Sequence, residues 1–126
     1  MPLVTLTVRR PKPESFKSGV LDAVHSALVA SGVPAADKFQ RVIELSSEDF
    51  RFDPSYPDLK SARNDDFALI EILWSAGRSV KIKKKFLEDL MARISALGMN
   101  PENVLVVFKE TTWENWAFGG GRLIHT

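Results

Sequence analysis

Residues 79–108, SVKIKKKFLEDLMARISALGMNPENVLVVF, contain a helix start, an amphipathic helix, a stop and a strand in that order. Ser79 is the residue type that caps a helix N-terminus, because its hydroxyl accepts from an otherwise unpaired backbone N–H. Ile82, Phe86, Leu90, Ile94 and Leu97 follow at three- and four-residue spacing and share one helical face. Gly98 closes the helix, and Pro101 lies just past the cap. Val104 to Phe108 then has the β-branched and aromatic make-up of a strand. Upstream, Phe67 to Trp74 is an apolar run with the enrichment of a buried strand. Together these pieces predict one β-α-β unit.

The first half repeats the same grammar. Residues 3–9 alternate and favour a strand, Pro11 and Pro13 break it, and a helix is predicted from Glu14 to Ser31. Phe16, Val20, Val24 and Leu28 recur every four residues, with Leu21 and Ala27 widening the stripe. Gly32 and Pro34 end that helix, and a strand is expected over Phe39–Leu45. The two helix-ending glycines stand 66 residues apart, each followed by a proline and then a strand. The expected fold class is therefore α/β (α+β): two consecutive β-α-β units in a mainly four-stranded sheet, with two helices on one face. The sheet's other face needs a cover, and self-association supplies one.

The 126 residues fit a single domain, with pseudo-repeat halves at about 1–46 and 66–110, a connecting loop at 47–65 and a tail at 111–126. The loop carries Phe50, Phe52 and Tyr56 among Pro54 and Pro57, so it is expected to pack down on the domain. The tail carries Trp113, Trp116 and Phe118 before Gly119-Gly120-Gly121, which suggests a C-terminal β-hairpin reaching over a neighbour. Seventeen Lys and Arg against sixteen Asp and Glu leave a net charge of +1, without the basic excess of a nucleic-acid footprint. There is no cysteine, and the two histidines, His25 and His125, are far apart, so thiolate chemistry is excluded and no metal site is expected. No apolar run reaches bilayer length and the N-terminus does not read as a signal peptide, so the expected compartment is the cytoplasm, with no membrane partner.

The chemistry-bearing feature is Pro2, directly behind Met1 at the start of the first strand. A small second residue generally allows Met1 to be removed, which would leave a secondary amine at the chain start. An α-amino group titrates at roughly 7.7–8.0, so modest tuning by burial or a nearby cation makes it a neutral base at cellular pH. Such a base suits proton abstraction beside a carbonyl. With Met1 kept, the Pro2 nitrogen is an amide and the idea lapses. Lys81, Lys83, Lys84 and Lys85 read as a solvated helix face, Gly119–Gly121 as a hinge or turn, and His25 as structural.

Met1-Pro2-Leu3, Gly32-Val33-Pro34-Ala35-Ala36-Asp37 and Trp116-Ala117-Phe118-Gly119-Gly120-Gly121-Arg122 together resemble the tautomerase superfamily, within it the long-subunit branch that includes malonate semialdehyde decarboxylase. The resemblance spans nearly the whole chain. It implies the tautomerase fold, a homotrimer with sites around the terminal prolines, and chemistry on small oxo acids without metal or organic cofactor. It also implies roles for five residues: Pro2, Asp37 and Arg78 as catalytic, Trp116 and Phe118 as substrate-binding pocket aromatics. Asp37 has an equally good reading as a turn residue, and Arg78 as a surface charge. Where the family stretch carries two arginines flanking a proline, this chain has Ala76-Gly77-Arg78 and keeps one. The resemblance thus points to an isomerase performing keto–enol tautomerisation of a small 2-oxo acid or enol. Decarboxylation or hydration of a 3-oxo or unsaturated acid, and a non-catalytic trimeric interaction protein, stand as alternatives.

Overall fold

A computed structural model of the chain describes residues 1–124; His125 and the last residue of the predicted tail lie outside the described residues. Strand β1 (Leu3–Arg9), helix α1 (Glu14–Ala30) and strand β2 (Phe39–Leu45) form the first unit. Strand β3 (Ala68–Ser75), helix α2 (Val80–Ala96) and strand β4 (Val104–Thr111) form the second. Both helices are 17 residues long, as a doubled unit requires. The sheet order is β2-β1-β3-β4. Strands are parallel within each unit, and β1 meets β3 antiparallel, so the halves are joined about an approximate twofold between the two central strands.

Period-2 burial shows which face the helices cover. In β3, Ala68, Ile70, Ile72 and Trp74 are buried, while Leu69, Glu71, Leu73 and Ser75 are only partly covered. Val4, Leu6 and Val8 of β1 join the same core, against Val20, Val24 and Leu28 of α1 and Phe86, Leu90 and Ile94 of α2. The predicted stripe of α2 overhangs this core at both ends, since Ile82 and Leu97 are 46% and 51% exposed. Ile82 lies in the first turn of α2 and Leu97 just past its last residue, at the margins of the core. No helix among the described residues is long and apolar enough to cross a membrane.

The predicted stops form by backbone geometry. After α1, Val33 N–H donates to Leu28 O at 3.0 Å and Gly32 N–H to Val29 O at 3.0 Å. This pairing needs a left-handed residue at the turn, and Gly32 supplies it at φ +112°. At the start of α2, Ser79 accepts from Ile82 N–H at 3.2 Å, the predicted cap. The connecting loop packs down in part: Phe50 and Phe52 cluster with Phe67 at 4.4–6.2 Å, and Arg9 lies 4.2 Å over Phe52 while its Nε donates to Phe50 O, but Tyr56, expected to join them, is 74% exposed.

The tail departs from its sequence reading. Beyond β4 it forms a 3-10 turn at Trp113–Asn115 and then a turn in which Arg122 N–H donates to Gly119 O at 3.2 Å. The described residues of the tail contain no strand, so the expected hairpin is absent there. A hairpin needs ladder partners for both arms, and both turns of this segment close on local backbone hydrogen bonds instead.

Candidate active site

Opposite strand directions put four chain ends at one edge of the sheet. β1 and β2 begin where β3 and β4 finish, because the two units are joined antiparallel. The register pairs Leu3 with both Phe39 and Leu73. Extending it one residue sets Pro2 level with Lys38 on one side and Trp74 on the other. Asp37, Pro2, Arg78 and the aromatic tail thus reach the same end of the molecule from four separate parts of the sequence.

At that end the amino terminus is buried. Met1 is 4% exposed and Pro2 is fully buried. The terminal amine of Met1 donates to both carboxylate oxygens of Asp37, at 2.7 and 2.6 Å. The turn before β2 places Asp37: Asp37 N–H donates to Pro34 O at 3.0 Å, and His25 Nε2 braces the same turn by donating to Ala35 O at 2.9 Å. With Met1 present the nitrogen of Pro2 is an amide; removal of Met1 makes it the amine, displaced by one residue, about 3.8 Å along the chain.

Arg78 follows β3. Its Nη1 donates to Ser75 O and Ser75 Oγ, each at 2.8 Å, and its guanidinium lies 4.1 Å from the centroid of Trp74. Gly77 makes this fold-back available: at φ +112° it occupies backbone space closed to the proline of the family pattern, whose ring holds φ near about −65°. Burial pushes the Arg78 pKa down from its ordinary value, and Glu110 nearby opposes that shift. Glu110 is itself engaged by Lys83.

Trp116 and Phe118 form a second cluster. Their rings stack at 5.7 Å and 14°, and Phe118 lies 6.0 Å from Phe39, the first residue of β2. Phe39 sits two residues after Asp37, which brings the aromatic pair to the acidic side of the site. The indole Nε1 of Trp116 is buried without a hydrogen-bond partner among the described residues. Arg78 spends its contacts on Trp74 and Ser75, and the aromatic pair on Phe39. Neither Trp74 nor Phe39 was singled out from sequence; the available signal was an aromatic within four residues of Arg78 and within two of Asp37. A cavity of about 660 Å³ between α1 and α2, lined by residues such as Ala27, Ile82, Phe86 and Arg93, shares no residue with this cluster.

The doubled β-α-β fold and the sequence together define an enzyme of the tautomerase class. The chain belongs to the tautomerase enzyme family, whose sequence model matches residues 37–119, and to the superfamily branch that includes malonate semialdehyde decarboxylase. The match begins at Asp37, so Pro2 lies outside it. The probable tautomerase YusQ of Bacillus subtilis (strain 168) is 28% identical over 124 residues, covering 97% of this chain and 96% of that one. A crystal structure of malonate semialdehyde decarboxylase, described with decarboxylase and hydratase activities, superposes with TM-score 0.87 at 25% identity, over 96% of this chain and 93% of that chain. A fused 4-OT described as a symmetric trimer shares the fold with TM-score 0.68 at 22% identity, over 95% and 94% of the two chains.

Proposed function

We propose that this enzyme catalyses keto–enol tautomerisation of a small 2-oxo acid, with the amine of Pro2, exposed by loss of Met1, moving the proton. The observation that carries the reading is the buried chain terminus, whose amine meets the Asp37 carboxylate at the same sheet end as Arg78. Pro2 takes the proton from the carbon beside the carbonyl and returns it to complete the isomerisation. Arg78 binds the substrate carboxylate, Asp37 orients the carbonyl or a water, and Trp116 with Phe118 walls the site from bulk solvent. Excluding water strengthens each charge interaction made there. No metal or organic cofactor enters these steps.

A second reading keeps the amine of Pro2 charged. A carboxylate touching an amine favours its charged form, whereas burial and a nearby guanidinium disfavour it. A Pro2 amine that stays protonated acts as an acid, which suits decarboxylation or hydration of a 3-oxo or unsaturated acid. The malonate semialdehyde decarboxylase structure, described with both of those activities, supports keeping this alternative. Nitrogen-15 NMR of Pro2 separates the two: a pKa near about 6–7 means a base, one above about 8.5 an acid.

We further infer a homotrimer, supported by the partly uncovered sheet face and by the trimeric fused 4-OT of the same fold. Intact-mass spectrometry is the first test, with loss of Met1 expected. Ketonisation of phenylpyruvate and of 2-hydroxymuconate then compares the processed enzyme with Pro2→Ala. A large rate loss in the variant is expected. Equal rates would leave the non-catalytic trimer as the better account for these substrates.

A further inference from the structure

At the end of β3, Phe86, Phe108 and Arg78 cluster around Trp74 in a way that carbon burial alone does not explain. Trp74 is fully buried, its ring parallel to Phe108 at 4.8 Å and 7°, and edge-on to Phe86 at 5.7 Å. The guanidinium of Arg78 also lies against the Trp74 ring, 4.1 Å from its centroid. A cation over an indole face is held there by the ring's quadrupole, and indole is the strongest of the aromatic partners. Ser75 fixes the in-plane rotation, because its carbonyl and its hydroxyl both accept from the single nitrogen Nη1 at 2.8 Å.

These contacts set the guanidinium carbon over the indole ring and occupy one of the three nitrogens. Nε and Nη2 have no partner among the described residues, and they form the edge that matches a carboxylate by two parallel hydrogen bonds. The anion that acts on Arg78 is Glu110, and Lys83 engages it. Arg78 is therefore fixed, partly desolvated and open along one side.

We propose that Trp74 and Ser75 are positioning residues, which hold Arg78 so that its Nε–Nη2 edge receives the substrate carboxylate side-on. This rests on the assignment of Arg78 as the carboxylate site under the proposed function. Trp74 is then more than a core residue, and Ser75 more than a strand end.

The test uses the full-length processed enzyme and two substrates, an enol carboxylic acid and its methyl ester, with KM and kcat measured separately. Ser75→Ala and Trp74→Phe are expected to raise KM for the acid about 5-fold each, with kcat changed less than about 2-fold. Neither should move KM for the ester, which offers no anion to the freed edge. In an Arg78→Ala background, Ser75→Ala should add nothing, because the two act as one unit. Trp74→Leu removes the aromatic face entirely and should cost more, about 10-fold in acid KM. If it fails to fold, the other two variants still decide the matter. Acid KM within 2-fold of wild type in both folded variants, while Arg78→Ala raises it, overturns the positioning role and leaves the assignment of Arg78 intact. Equal KM increases for acid and ester overturn it as well, because they indicate general damage. Unchanged kinetics in Arg78→Ala removes the underlying assignment itself.

Discussion

Asp37 grips the amine of the chain with both carboxylate oxygens, which an amide cannot do with the same charge. Asp37→Asn keeps the shape and the turn but loses the anion. It is expected to lower kcat/KM about 10²-fold, the range for removing a positioned acid–base partner, with the circular dichroism spectrum unchanged. Full retained activity would reduce Asp37 to a turn residue. Asp53, in the loop between the halves, shows the same chemistry in a structural role. It accepts from Ser55 N–H at 2.9 Å and Tyr56 N–H at 2.7 Å, and these bonds, Ser55 first, hold its pKa below the ordinary value. A folded-state pKa below the unfolded one means the contribution is present above about pH 4 and fades as the pH falls through the folded value. The amide resonances of Ser55 and Tyr56 should therefore shift on acidification below pH 4, and Asp53→Asn should abolish that titration.

Helix boundaries in this protein are local events. Ser79 caps α2 through one hydroxyl, so Ser79→Ala should destabilise the fold by about 1 kcal/mol, read as a modest fall in Tm. Gly32 ends α1 in the left-handed region, with nothing within 4 Å of an added Cβ. The cost of Gly32→Ala is then backbone strain alone, about 1–2 kcal/mol. A loss well below 0.5 kcal/mol in either variant would mean that tertiary packing holds the helix ends, not their caps. The strand elements obey a different logic. β3 is specified by period 2, and its buried positions follow the helix-covered face without exception.

For the whole molecule, the uncovered sheet face is the unresolved surface of the single chain. Phe39, Ile43, Leu105 and Val107 are 46%, 38%, 40% and 37% exposed, large apolar side chains that a lone subunit leaves in water. They sit in two pairs on the edge strands β2 and β4 of one sheet face, the kind of apolar surface that association covers. Val107→Glu places a charge on that face without touching the core, so it should convert a trimer to smaller species by light scattering while the far-ultraviolet spectrum persists. A trimer that survives the substitution would put its interface elsewhere.

Local periodicity and cap chemistry were enough to read both helices, all four strands and the doubling, because each depends on residues close in sequence. Pro2, Asp37 and the tail motif were legible as a resemblance, since they lie in short runs. What only the tertiary structure decided is the meeting of Asp37 with the terminus, the stacking of Arg78 on Trp74, and the pairing of Phe118 with Phe39. The failed hairpin belongs here too, because a strand exists only where another strand accepts its hydrogen bonds. The antiparallel join of β1 to β3 brings residues dozens of positions apart to one edge of the sheet, and no spacing along the chain encodes which side chains meet there.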